Sequence, residues 1–205
     1  MYIQLMSFSL ATLFLAISPG PDNLFVLTQS LAHGKKQGIA IVLGLLSGCV
    51  VHTTLLAFGV SSWITQYKTL FFIIKCLGAA YLFFLAYQVL RHPANLTLQT
   101  PSQTTKFSKL YKQGVLMNLL NPKVMLFFLA FFPGFLWKSS QVVLQFYILG
   151  LVFIIVSFIV FGSIAVFAAA LSKVLLKNPY AGIVLKYLQV FVFVGIGIYI
   201  LLPSI

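Results

Sequence analysis

Two long stretches without a charged side chain dominate this sequence. Residues 37–67 and 139–172 contain no Asp, Glu, Lys or Arg, and most of their side chains are apolar. Of all 205 residues, 61% are hydrophobic and only 7% are charged, whereas soluble domains carry about 25% charged residues. A globule made from this chain would lack the polar side chains to cover its surface. The composition therefore predicts a protein whose solvent is lipid.

Helices rather than a β-barrel are expected to cross the bilayer. Inside lipid every backbone amide must be paired within the protein, so only helices and closed barrels can span it. Barrel strands alternate apolar and polar residues over about 10 positions, and the long runs here are apolar throughout. The sequence therefore predicts an all-α integral membrane protein.

Six apolar segments approach the roughly 20 residues that a membrane-spanning helix needs. They are residues 4–32, 39–62, 69–90, 112–136, 142–171 and 181–202. The one long polar connection follows the third segment. We therefore expect a single transmembrane domain over residues 1–205, divided into a first three-helix repeat (1–91), a cytoplasmic linker (92–111) and a second three-helix repeat (112–205).

Basic side chains predict the orientation of these segments. Most lie in or near the loops that follow the first, third and fifth segments: Lys35, Lys36, Arg91, Lys106, Lys109, Lys112, Lys173, Lys177 and Lys186. On the opposite side lie Lys68 and Lys138, with Lys75 a little way into the third segment. By the positive-inside rule those three loops are cytoplasmic and both termini are periplasmic. Three helices per repeat then make the second repeat inverted relative to the first.

The formal net charge of +12 would suggest a nucleic-acid partner for a soluble protein. Here the lysines flank apolar runs, which is the usual topogenic pattern of membrane proteins. We therefore expect the lipid bilayer to surround the chain, and no nucleic-acid partner.

Two proline motifs interrupt the first and fourth segments near their middles. They read Ser18-Pro19-Gly20-Pro21-Asp22-Asn23 and Asn118-Leu119-Leu120-Asn121-Pro122-Lys123. Proline removes an amide donor and clashes with the preceding turn, so each helix is expected to break or kink there. Asn121 before Pro122 is typical of an N-cap and a first helical residue. A single such proline is more often a simple kink, but matched breaks in two inverted repeats indicate a transporter's binding site.

Asp22 is the only acidic residue of the chain, and Lys123 has the equivalent place in the second motif. A charge near the bilayer centre costs at least about 2.5–3.5 kcal/mol, so it is rarely there without a partner or a task. Asp22 is expected to cap its half-helix or to bind a cation, a substrate ammonium or a proton. Lys123 opposes the dipole of its own helix, so we expect an anion to face it, unless it snorkels to the interface. Asp22 and a ligand carboxylate are the two candidates, and a direct Asp22–Lys123 interaction is predicted in at least one state.

Catalysis, metal binding and cofactors are not expected. No Ser-His-Asp set is expected, since the sole carboxylate is Asp22. No nucleotide-binding glycine loop is present, and a metal site would need several hard-oxygen or His ligands. Cys49 and Cys76 form no CxxC pair and are expected to be packing residues. His52 is either a packed neutral side chain or part of a proton relay. Gly44 and Gly48 form a GxxxG spacing, which mainly indicates close helix packing. The remaining prediction is a secondary transporter whose positive half-helix ends, Lys and Asp suit an amino-acid zwitterion.

The motifs resemble those of the LysE/RhtB family of bacterial amino-acid exporters, over essentially the whole chain. The resemblance rests on residues 18–23 with Gly34, Gly38, Gly44, Gly48 and His52, and on residues 118–123 with Phe127, Phe128, Phe131, Phe132 and Pro133. It implies a bacterial inner-membrane protein that exports an amino acid or a close derivative, by proton antiport with Asp22 as the coupling carboxylate.

The resemblance also implies a substrate site, carried over by position. It comprises Pro19, Gly20, Pro21, Asp22, Asn23, Asn118, Asn121, Pro122 and Lys123, with His52 as a further candidate. The identity of the amino acid and the formation of a homo-oligomer stay open.

Three alternative functions stay open beside export. A thiol-redox membrane protein of related plan would have cysteines beside the breaks, and this chain has none there. A passive channel would need a continuous polar lining. A scaffold that transports nothing would not need Asp22 and Lys123 at depth.

Overall fold

The fold is known from a computed structural model, which describes residues 1–60, 68–91, 106–171, 178 and 180–202. These residues are almost entirely helical and include no β-strand, which confirms the predicted all-α class. Most of the expected linker, residues 92–105, lies outside the described residues, as do Lys173 and Lys177.

The main helices follow the predicted apolar segments. They are α1 (Tyr2–Ile17), α2 (Pro21–His33), α3 (Lys35–Leu55), α4 (Lys68–Arg91), α5 (Phe107–Leu120), α6 (Pro122–Leu126), α7 (Val142–Val166) and α8 (Ala181–Leu201). A π-helical turn, Leu56–Val60, extends α3, and α6 continues through a π-helical turn, Phe127–Phe131, into a 3₁₀ turn, Phe132–Phe135.

The first proline motif separates α1 from α2. α1 ends at Ile17, Gly20 is extended, and α2 begins at Pro21. Proline is well suited to a first helical position, because its missing N–H would have no partner within the helix anyway. The two helix axes differ by 58° across this short connection.

The second proline motif separates α5 from α6 in a similar way. α5 ends at Leu120 and α6 begins at Pro122. The side-chain Oδ1 of Asn121 accepts a hydrogen bond from the backbone N–H of Lys123 at 3.0 Å, so the predicted N-cap is present. The bend between Phe107–Leu120 and Pro122–Phe135 is 51°.

Within the described residues, three helices are individually long and apolar enough to cross a membrane: Lys35–Gly59, Val142–Val166 and Ala181–Leu201. The number rises to five if each bent pair is one span. α4 occupies the third predicted segment but is not among these five. Six spans in two inverted repeats therefore stay a prediction.

Close packing of α3 on α5 joins the two halves of the sequence. Gly44 lies directly against the backbone oxygen of Tyr111, and a Cβ added to Gly114 would come within 2.5 Å of the Ile41 oxygen. Small residues allow membrane helices to approach this closely. Gly48 continues the same face, since a Cβ there would lie 2.5 Å from Oδ1 of Asn118. The close helix packing expected of Gly44 and Gly48 is confirmed, and it holds the second proline motif beside α3.

An aromatic cluster fills the core on one side of the proline motifs. Its members are Phe8, Phe127, Phe128, Phe131, Phe132, Phe135 and Phe153, each at most 5% exposed. The rings of Phe128 and Phe132 stack at 4.2 Å, and those of Phe8 and Phe132 meet edge to face at 4.8 Å. Such pairs contribute about 0.5–1.5 kcal/mol each beyond their buried area. The aromatic cluster therefore packs densely on this side of the proline motifs.

Candidate functional site

The two proline motifs meet at the centre of the fold through Asn121 and Asp22. Nδ2 of Asn121 donates a hydrogen bond to Oδ2 of Asp22 at 2.9 Å. Both side chains are buried, with 6% and 5% of their surfaces exposed. Asn121 thus caps its own half-helix with one side-chain atom and contacts the other motif with the second. The contact brings together residues that are 99 positions apart in the sequence.

Lys123 is also buried and reaches back to the end of α1. Its Nζ donates hydrogen bonds to the backbone oxygens of Leu15, at 3.0 Å, and Ser18, at 3.1 Å. These carbonyls belong to the last turn and C-cap of α1, where the helix dipole is negative. The ammonium also lies 5.5 Å from the ring centroid of Phe193, within the range of a cation–π contact.

The partners of Lys123 differ from those expected. The sequence suggested that Asp22 or a ligand carboxylate faces the ammonium. In this conformation Asp22 and Lys123, both of which the structure describes, form no ion pair within 4 Å. Carbonyls at the C-terminal end of α1 bind the ammonium instead. The negative end of a broken helix provides the compensation that a carboxylate was expected to supply.

The remaining polar candidates make hydrogen-bonding contacts close to the two proline motifs. Asn23 donates from Nδ2 to the backbone oxygen of Ala16 at 2.7 Å, across the first break. Asn118 donates from Nδ2 to Sγ of Cys49 at 3.5 Å. The Nε2 of His52 lies 3.3 Å from the backbone oxygen of Asn118.

His52 lies apart from the two cavities described below, and neither cysteine has a disulfide partner. The His52 ring packs at 5.3 Å from that of Phe128, and His52 lines neither of the two cavities described below. The structure therefore does not place this candidate among the cavity-lining residues. Cys49 and Cys76 are both free thiols.

A cavity of about 750 Å³ ends on both proline motifs; we call it the large cavity. Motif residues Pro19, Gly20, Pro21, Asn23, Asn121, Pro122 and Lys123 line it. The rest of its wall is mostly apolar and includes Leu24, Leu85, Gln88, Val160, Leu185, Lys186, Gln189 and Phe193. These lining positions come from α2, the C-terminal end of α4, the C-terminal half of α7 and the first two thirds of α8. They adjoin the ends of those helices that the positive-inside rule assigns to the cytoplasm.

A second cavity of about 20 Å³, the small cavity, lies behind the first. It is lined by Leu15, Ala16, Gly20, Asp22, Asn23, Cys49, Asn118, Asn121, Lys123, Val124, Phe153, Ser157 and Phe161. Asp22 and Asn118 therefore face the small cavity and not the large one, whereas Asn121 and Lys123 line both. Of the two charged side chains, Lys123 therefore lines the large cavity and Asp22 does not.

The sequence did not single out several polar or aromatic residues at these cavities, among them Gln88, Gln189, Phe193 and Ser157. Gln88, Gln189 and Phe193 lie in apolar helices, and Ser157 lies in the longest uncharged run. Gln88 and Gln189 come from the third and sixth predicted segments, and only the fold brings these segments to the same cavity. A polar side chain in the middle of a predicted span was the one available signal.

The donor set around these cavities does not suit a metal ion. Across the described residues no three His, Cys, Asp or Glu side chains come close enough to hold one.

Comparison with known proteins identifies the family. The family model described as "LysE type translocator" matches residues 13–204. A homoserine/homoserine lactone efflux protein of Salmonella typhimurium is 31% identical over 173 residues, which cover 84% of each chain. A leucine efflux protein of Salmonella choleraesuis is 32% identical over 74% of this chain and 73% of its own.

Other relatives are named only by their location. An uncharacterized membrane protein of Vibrio cholerae is 30% identical over 82% of each chain. No solved structure matches this chain significantly. Efflux proteins of this family are transporters and not enzymes, in line with the absence of a catalytic set from the sequence. The expected resemblance is confirmed, and this chain is a membrane protein that belongs to the LysE family of translocators.

Proposed function

We propose that this protein is a secondary transporter that exports an amino acid or a close derivative from the cytoplasm, by proton antiport. The observation that carries the proposal is the large cavity, which ends on both proline motifs and on the buried ammonium of Lys123. The names of the relatives point the same way, since two of them are efflux proteins for homoserine or its lactone and for leucine.

The proposed architecture has six spans in one domain, 1–205, with each bent helix pair counted as one broken span. Residues 1–91 form one three-helix repeat, residues 92–111 a cytoplasmic linker and residues 112–205 the inverted repeat. The equivalent bends of 58° and 51° support this pairing. The basic loops support an inner-membrane protein with both termini in the periplasm.

In the proposed substrate site, Lys123 binds the carboxylate. An ammonium has three donors, and two of them are used on the carbonyls of Leu15 and Ser18. The third is available to a ligand in the large cavity, together with the first turns of α2 and α6, whose positive ends favour an anion. The Oδ1 of Asn23 is the nearby acceptor for the substrate's ammonium, because Nδ2 of this side chain is bound to Ala16.

The conformation is proposed to be the inward-facing one. The large cavity is lined from helix ends that adjoin the basic loops, whereas the aromatic cluster packs on the opposite side of the proline motifs. Export then requires this cluster to open while the cytoplasmic cavity closes around the substrate. In inverted-repeat transporters such alternation comes from one repeat rocking against the other.

Asp22 is the proposed coupling carboxylate. Its chain neighbours Pro21 and Asn23 line the large cavity, so a modest movement of this turn brings the carboxylate to the substrate's ammonium. A carboxylate that holds either a proton or that ammonium makes the two ligands compete. Competition of this kind couples outward movement of substrate to inward movement of protons.

A panel of labelled amino acids and lactones in reconstituted vesicles tests the proposal. We expect at least one of them to accumulate against its gradient when a pH gradient is imposed, and not without it. Movement that only equilibrates the substrate would support a passive channel. No movement of any amino acid or derivative in a correctly folded preparation would contradict the proposal and favour a scaffold.

A further inference from the structure

Ser157 behaves unlike four other serines in the described helices. Ser9, Ser30, Ser47 and Ser163 each donate a hydrogen bond to the backbone oxygen four residues earlier, which is how a serine within a helix usually satisfies its hydroxyl. Ser157 is 1% exposed, and its Oγ has no hydrogen-bond partner within the described part of the chain. It lines the small cavity.

Asp22 presents a second unsatisfied atom at the same cavity. Asn121 binds its Oδ2, but Oδ1 is fully buried and accepts no hydrogen bond from the residues that the structure describes. Leaving a buried acceptor unpaired costs about 1–3 kcal/mol, and more for a charged group. Lys123 also lines the cavity, and its third N–H, which the proposed substrate site uses for a carboxylate, remains available beyond the two carbonyl bonds while no substrate is bound. One spare donor, one spare acceptor and one hydroxyl therefore border the same small space.

The size of this space matches a single water molecule. A buried water needs at least about 10–15 Å³ of such volume and two to four polar partners, and the small cavity has about 20 Å³. The titratable groups that line it besides Asp22 are Lys123 and Cys49. The positive charge of Lys123 opposes a metal cation, whereas water can accept from the ammonium and donate to Asp22.

We propose that, while no substrate is bound, the small cavity binds one water molecule that bridges Lys123, Ser157 and Asp22, and that Ser157 positions this water for proton exchange with Oδ1 of Asp22. The inference rests on the proposed role of Asp22 in coupling. The small cavity adjoins the large one, because both are lined by Gly20, Asn23, Asn121 and Lys123. The bridging water gives one proton to Oδ1 as it receives one from water in the large cavity. It is itself regenerated, and unloading reverses the step.

Two substitutions of equal shape isolate the hydroxyl. Ser157→Thr keeps it and Ser157→Val replaces it by a methyl group. Each purified variant is assayed for substrate exchange without a pH gradient and for pH-gradient-driven transport across a range of pH. We expect Ser157→Thr to keep both activities. Ser157→Val should keep exchange but lose gradient-driven transport by about two- to tenfold, as expected for one lost hydrogen bond to a neutral partner.

Thr12 provides the matched control. Its Oγ1 is also buried and without a hydrogen-bond partner among the described residues, but it lines neither cavity. Thr12→Val should leave the pH profile unchanged. Equal pH profiles for Ser157→Thr and Ser157→Val, or an equal loss of coupling in Thr12→Val, would overturn the role of the Ser157 hydroxyl.

A high-resolution structure of the unmodified protein tests the water independently of transport. We expect one density peak within hydrogen-bonding distance of Asp22 Oδ1 and Ser157 Oγ. An empty cavity, or a peak with the short distances of a bound sodium ion, would overturn the inference even if export is driven by protons. If the unmodified protein shows no pH-driven transport at all, the proposed function fails instead, whatever the density shows.

Discussion

Asn121 offers the sharpest test of how the two proline motifs are joined, because one side chain makes both contacts. Its Oδ1 caps α6 at 3.0 Å from the Lys123 amide, and its Nδ2 lies 2.9 Å from Asp22 Oδ2. Asn121→Ala removes both contacts. Asn121→Ser keeps a hydroxyl that can cap the helix, but this side chain is too short to reach Asp22.

The two contacts have different expected contributions to the free energy of unfolding. Loss of an N-cap costs about 0.5–2 kcal/mol, and loss of a hydrogen bond to a charged group costs about 1.5–3 kcal/mol. We therefore expect Asn121→Ala to destabilise the protein by about 2–5 kcal/mol, the sum of the two. Asn121→Ser should lose about 1.5–3 kcal/mol, the second contribution alone.

Reversible unfolding in mixed micelles measures these free energies. As a control, Asn178 makes a similar but exposed contact, accepting the Tyr180 amide at 2.9 Å, and Asn178→Ala should cost at most about 0.5 kcal/mol. A double-mutant cycle with Asp22→Ala should show that Asn121→Ser costs much less once Asp22 is absent. If the two losses simply add to within about 0.5 kcal/mol, the side chains are not coupled and the account of this junction is wrong.

Three further predictions concern packing, thiols and topology. Gly44→Val should prevent correct folding because its side chain would meet the α5 backbone, whereas Gly134→Ala, with open space around it, should give a normal yield and a monodisperse elution profile. The double variant Cys49→Ala, Cys76→Ala should keep transport in vesicles, and complete loss in a well-folded sample would refute a packing role. A reporter fused to either terminus should be active only in the periplasm, and activity confined to the cytoplasm would reverse the proposed orientation.

Sequence patterns were sufficient to predict those structural elements that depend only on neighbouring residues in the chain. Apolar length and the absence of charge predicted the helices, and proline with a preceding asparagine predicted the N-cap at Asn121 and the start of α6. The glycines of α3 predicted close packing, because a missing side chain has the same effect on any neighbour. The count of six spans and the inverted repeat depend on the membrane boundaries and stay predictions.

Contacts that depend on the backbone or on distant helices had no sequence signal. The ammonium of Lys123 is bound by carbonyls of Leu15 and Ser18, and a carbonyl is present at every residue. Ser157 differs from other helical serines because its hydroxyl makes no hydrogen bond to the backbone oxygen four residues earlier, and the sequence does not show this. The prediction that Asp22 and Lys123 interact directly in at least one state stays a prediction, and it did not anticipate that the negative end of α1 binds the ammonium in this conformation.

Gradient-driven export by Asp22→Asn most directly tests the central claim that this carboxylate couples substrate to protons. The substitution keeps the shape of the side chain and an oxygen that can accept from Asn121, but it cannot ionise. We predict that the variant inserts and folds, while uphill export driven by a pH gradient disappears. Uphill export at the normal rate and with unchanged pH dependence would contradict the claim and leave Asp22 as a helix cap.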